Sequence, residues 1–220
     1  MSNNSPIEIV QNRLHQDVEK YGEVQIFSKG DNIGSPELMQ KKFFFVLEGR
    51  IKVSQINLKD AKEQTLKILT SGDMYDVVTL LDAKIHDNLL YALDSVKIIV
   101  FPIEVVREWT HKDQSFNKLL FPYIAKQFRD MEELALDLSF YNTSERLLKL
   151  IAKNINQKNP SKLNLIHNLP HEEIASLIGT VRKVLNRHIQ KLKNDGIINV
   201  TRKNIEIKNA QKLIENLPFF

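Results

Sequence analysis

The chain has 220 residues, of which 42% are hydrophobic and 26% charged, enough to bury one large core or two small ones, and this excludes intrinsic disorder. No apolar run approaches the roughly 18 residues of a membrane span, and the first ten residues lack the basic opening and apolar core of a secretory signal, so a cytoplasmic address is expected. Cysteine is absent, which removes disulfides, thiol nucleophiles and cysteine-held zinc or iron–sulfur clusters. The net charge of +4 hides an asymmetry: residues 1–143 carry 17 Lys+Arg against 21 Asp+Glu, and residues 144–220 carry 14 against 6. A polyanion-binding C-terminal module on a mildly acidic partner module is the simplest reading, with nucleic acid the expected polyanion.

In chain order, Glu23 to Phe27, Lys42 to Leu47, Arg50 to Ile56, Gln64 to Thr70 and Val96 to Phe101 read as short strands. Gly30-Asp31 and Gly72-Asp73 supply turns between them. Strands at this spacing, without interleaved crossover helices, predict an antiparallel sandwich or barrel and not a doubly wound sheet. After Pro102 the apolar period lengthens. Phe121, Ile124, Phe128, Met131, Ala135 and Leu138 follow a 3-4-3-4-3 spacing, one narrow seam of a helix over about 113–141. Leu120, Tyr123 and Leu134 form a second apolar face that can pack on the chain's own barrel, so the seam is expected to meet a second subunit. Pro122 predicts a kink or a late helix start. Glu132 and Glu133 point about 100° apart on this helix and are expected on a solvated face.

Asn142-Thr-Ser-Glu145 has the spacing of a capping box and marks a new helix, predicted over 143–156. The domain boundary falls here, giving 1–142 and 143–220. Between Leu169 and Ile198 the sequence predicts two short helices and a turn. Pro170, Glu172 and Glu173 suit a first turn, Ala175 is small where the helices cross, Gly179 permits the turn, and Leu185 closes the core between them. On the second helix Val181, Leu185, Ile189 and Leu192 form the expected buried stripe. Arg182, Lys183, Asn186, Arg187 and Gln190 form the opposite stripe, which contains no acid, as docking in a major groove requires. Asn194-Asp195-Gly196 stops the helix. Ile197 to Val200 and Asn204 to Lys208 predict a β-hairpin wing, with Arg202 and Lys203 at a tip that reaches phosphate. Thr180, Arg182, Lys183, Asn186, Arg187, Arg202 and Lys203 are the expected DNA contacts.

These segments resemble the cyclic-AMP receptor and fumarate-nitrate (CRP/FNR) regulators over nearly the whole chain. The resemblance rests on Phe27-Ser-Lys-Gly-Asp31, on Phe44 to Val53, on Ser71-Gly-Asp73, on the long helix, and on Glu173 to Arg187. It implies an α+β chain with an N-terminal jelly-roll effector domain, a long dimerisation helix and a C-terminal winged helix-turn-helix that binds palindromic operators. DNA, a second copy of the chain, RNA polymerase and a small-molecule effector are the partners it implies.

The chain departs from the family at the effector. Where cyclic-nucleotide binders carry a Gly-Glu pair it has Asp76-Val77, and no arginine occurs between Leu80 and Leu93. A phosphodiester beside Asp76, Asp82 and Asp87 would be disfavoured, so cyclic AMP is not the expected effector. A cysteine-held iron–sulfur cluster is excluded by composition. The expected pocket takes in Tyr75, Asp76, Val77, His86, Tyr91, Phe128 and Met131. Haem is one occupant to consider, with His86 as the axial ligand and His111 and Met131 behind it; an apolar small molecule is another.

An enzyme is not expected. The glycines make neither a dinucleotide fingerprint nor a P-loop, and the six histidines never pair at metal-ligand spacing. The rival reading is a sensory or scaffolding module whose basic C-terminal domain binds RNA or an acidic protein.

Overall fold

A computed structural model describes residues 15–34, 41–85, 88–156, 158–159, 163–201 and 204–217. By compactness the chain divides into two units, one of residues 1–55 and 67–131 and the other of residues 56–66 and 132–220. Among the described residues no helix is long and apolar enough to cross a membrane.

The first unit opens with α1 (His15–Tyr21) and β1 (Glu23–Phe27). After these come β2 (Lys42–Glu48), β3 (Ile51–Asn57), β4 (Lys62–Leu69) and β5 (Met74–Tyr75). The short helix α2 (Val77–Asp82) precedes β6 (Leu89–Ala92), β7 (Val96–Pro102) and α3 (Ile103–Lys112). The strands form two sheets, β1-β7-β2-β5 and β4-β3-β6. The predicted strands are present, and the sequence reading missed only the short β5 and β6, whose two and four residues give alternation too little length to register.

The unbroken apolar run at Phe43 to Val46 has a direct cause: β2 is covered on both faces. Phe44 and Val46 point into a cluster with Ile51, Val53, Leu90, Ile98 and Val100. Phe43 and Phe45 point the other way, against Phe101, Trp109, Phe116 and Leu120. In this second cluster Phe45, Phe101, Trp109 and Phe116 follow one another edge to face, with centroids 5.9, 5.0 and 5.5 Å apart. Trp109 Nε1 donates to Asp17 at 2.9 Å and so ties down α1. Arg107 donates to the carbonyls of Thr79 and Leu80, closing the end of α2.

The long helix α4 (Gln114–Phe140) runs through Pro122, starting eight residues before it, so the late start expected from that proline does not occur. Leu120 is buried and Tyr123 half-buried, as expected for the face turned to the chain's own core. The Tyr123 hydroxyl donates to the Met74 carbonyl and accepts from the Met74 amide.

The second unit continues from α4 into α5 (Thr143–Lys153). Asn142 accepts from the amides of Ser144 and Glu145 and Glu145 accepts from the Asn142 amide, the reciprocal capping box expected from the sequence. Glu133 is not on a solvated face as expected. It is part-buried between Lys149, at 2.7 Å, and Lys153, because α5 brings two lysines to it; Lys149 also pairs with Asp137. Then follow α6 (His171–Leu177), α7 (Arg182–Asn194), the hairpin β8 (Ile198–Val200) and β9 (Ile205–Ile207), and α8 (Ala210–Glu215).

Candidate nucleic-acid interface and effector site

The turn between α6 and α7 is set by backbone chemistry. Gly179 has φ +65°, its amide donates to the Ser176 carbonyl at 3.3 Å, and the Thr180 amide donates to Ala175 at 2.9 Å. This is the paired closure that ends a helix on a left-handed residue. Ala175, Ile178, Leu185, Ile189 and Leu192 are buried where the helices meet. Val181 was expected in that stripe and is 54% exposed, because it stands before the first turn of α7 as its N-cap and not on its buried face.

Arg182, Lys183, Asn186, Arg187 and Gln190 are all exposed on the side of α7 opposite Leu185, Ile189 and Leu192; Thr180 is half-buried in the turn. Arg202 and Lys203 lie outside the described residues. Two of the exposed side chains are held by α6. Arg182 Nη1 donates to Glu172 Oε1 at 2.7 Å, and Asn186 Oδ1 lies 2.6 Å from His171 Nδ1. Sequence reading gave Glu172 only first-turn polarity, since nothing in one helix's sequence shows what it grips on the next. His188 is held below the ordinary histidine range by burial and by the neighbouring Arg187 and Lys191.

On α4, Phe121 is 61% and Phe128 68% exposed, with Met131, Ala135 and Leu138 also exposed. Ile124 departs from the seam by packing partly against the second core cluster.

The effector residues separate. Tyr75 is buried in the first cluster and Val77 in the second; Tyr91 is half-buried. Asp76 is buried and caps α2, accepting from the Val78 amide at 3.0 Å and the Thr79 hydroxyl at 2.7 Å. His86 lies outside the described residues, and His111 is exposed in the last turn of α3. Met131 and Phe128 are exposed on α4. His111, His167, His171 and His188 are none of them buried, and among the described residues no group of three metal-ligating side chains gathers.

Lys67 was missed. It lies on the same side of β4 as buried Thr65 and Leu69, donates to Gln127 of α4 at 2.7 Å, and stands 5.7 Å from the Tyr75 ring centroid. Burial holds its ammonium below the usual lysine range, against the pull of Asp76, Asp73 and Asp130. The alternation with Thr65 and Leu69 was a signal for its inward position. Lys67 thus already faces the charges of three carboxylates.

These geometries define a β-sandwich domain joined by a long helix to a winged helix-turn-helix. Residues 144–215 match the Crp-like helix-turn-helix domain model. The global nitrogen regulator of Synechocystis is 22% identical over 195 residues, spanning 86% of each chain. The CRP-like cAMP-activated global transcriptional regulator of Mycobacterium tuberculosis is 20% identical over 190 residues, 85% of this chain and 84% of that one. In fold, a CooA variant from Carboxydothermus hydrogenoformans superposes with a TM-score of 0.79 at 22% identity, covering 98% of this chain and 96% of that one. The protein is a DNA-binding transcriptional regulator. Its residues 144–215 form a Crp-like helix-turn-helix domain, and over most of its length the chain is similar to regulators of the CRP/FNR type.

Proposed function

We propose that the protein acts as a cytoplasmic homodimer that recognises a palindromic DNA site through the exposed face of α7, works with RNA polymerase, and answers to an effector other than cyclic AMP. The functional division is 1–142 for sensing and dimerisation and 143–220 for DNA. The observation that carries this reading is the two-sided α7: Leu185, Ile189 and Leu192 are buried, and Arg182, Lys183, Asn186, Arg187 and Gln190 are exposed without an acid among them. Arginine and lysine suit guanine O6 and N7, and lysine has no acceptor for cytosine N4.

Selection from a random duplex pool with wild type and Lys183→Glu tests it. Wild type enriches a palindrome and the variant changes one base pair of each half-site. The same half-site from both removes Lys183 as a reader, and no palindrome from either overturns the function in favour of an RNA or acidic-protein partner.

For the effector, the carboxylates around Lys67 oppose an incoming phosphodiester. Calorimetry with cyclic AMP and cyclic GMP is expected to give no saturable binding. An absorption spectrum of the purified protein separates haem held by His86, which gives a Soret band, from an apolar organic effector, which does not.

A further inference from the structure

We propose that His171 is a positioning residue that sets which bases Asn186 reads. The inference rests on the reading above, in which the exposed face of α7 lies along base edges. Asn186 Oδ1 can only accept, so at 2.6 Å the His171 Nδ1–H is the donor. Among the described residues the Asn186 amide has no other hydrogen-bond partner. The anchor is firm because His171 sits in the first turn of α6, and α6 is locked to α7 by the Gly179 turn and by Ala175, Ile178 and Leu185.

A free asparagine amide is two-faced. Rotation by half a turn exchanges its carbonyl and its amine, so it can settle with both groups on the major-groove edge of adenine, accepting from N6 and donating to N7. With Oδ1 turned back toward α6, the Nδ2 amine is directed away from that helix, and the acceptor is withdrawn from incoming base amino groups. An anchored Asn186 therefore favours bases whose hydrogen-bonding groups in the major groove are acceptors alone, guanine through O6 and N7 and thymine through O4. It disfavours adenine and cytosine, which present N6 and N4 amines. The asparagine that the sequence alone would assign to adenine becomes a reader of keto bases.

The test uses the full-length protein in random-duplex selection with wild type, His171→Ala, His171→Gln and Asn186→Ala. Asn186→Ala identifies the base pair concerned, as the position whose preference disappears. Wild type is expected to enrich guanine or thymine there. His171→Ala, which frees the amide, is expected to raise adenine about ten-fold at that position and leave the rest of the half-site unchanged. His171→Gln, whose side-chain amine can donate to Oδ1, is expected to keep the wild-type base. An unchanged remainder of the half-site shows that the variants are folded and dock normally. The same base from wild type and His171→Ala overturns the role of His171 while the DNA reading stands, and no palindrome from any of the four proteins overturns both.

Discussion

At the scale of single residues, the turn at Gly179 combines a backbone demand with a steric one. Its φ of +65° is left-handed, and a Cβ there would meet Leu138 Cδ2 at 2.7 Å and Gln64 Oε1 at 2.8 Å. Both neighbours are ends of flexible side chains and can yield, so the backbone strain is the firmer cost, roughly 1–2 kcal/mol. Gly179→Ala is accordingly expected to lower unfolding stability by about 1–3 kcal/mol, with denaturant titration as the check. The neighbourhood of this glycine was only half legible. Its role in the turn follows from its spacing to Ala175 and Leu185, whereas the nearby Gln64 belongs to a strand over a hundred positions away. That strand is bound to α6 by a 2.7 Å hydrogen bond between the hydroxyls of Thr65 and Ser176 and by Gln64 Nε2 donating to the Ser176 carbonyl at 3.1 Å. Val181 was misread for a related reason: its spacing fits the stripe, but a residue one position before the first turn is not yet on the helix.

At the scale of elements, the long helix α4 has two apolar faces, and only one is buried. Leu120 is fully buried, while Phe121, Phe128 and Met131 form an exposed apolar stripe of the kind that marks an interaction surface. Phe128→Glu would set two like charges into a symmetric seam, so the wild type is expected to sediment as a dimer at micromolar concentration and the variant as a monomer. The exposed stripe was legible because its 3-4 spacing is local in sequence, although Ile124 is drawn partly into the chain's own core.

The junction of α4 with α5 carries a second consequence. Burial alone would raise the Glu133 carboxyl, but the hydrogen bonds and charges of Lys149 and Lys153 outweigh it and hold it below the usual carboxylate range. A group depressed on folding contributes stability above its unfolded value, about 4.3, and that contribution is lost as pH falls through the lowered value. Glu133→Gln is therefore expected to lower the thermal midpoint at neutral pH. The gap to wild type should close as the solution is acidified below the usual carboxylate range, and a gap independent of pH would contradict the ion pairs.

At the scale of the whole molecule, the arrangement of sandwich, long helix and winged helix-turn-helix was legible from strand spacing, the change of period after Pro102 and the charge shift beyond Thr143. What was not legible is the chemistry that depends on side chains meeting across elements. Lys67 meets Gln127 from sixty residues away, and His171 meets Asn186 from the neighbouring helix. The central claim is that two copies of the chain place their α7 helices on successive major grooves of one face of DNA. It is tested most directly by measuring affinity for the selected palindrome and for the same palindrome with about five base pairs, half a helical turn, inserted at its centre. The protein is expected to bind the first at least a hundred-fold more tightly at one fixed salt concentration. Equal affinity for the two duplexes would contradict the claim, because it would mean that each half-site is read independently of the dimer.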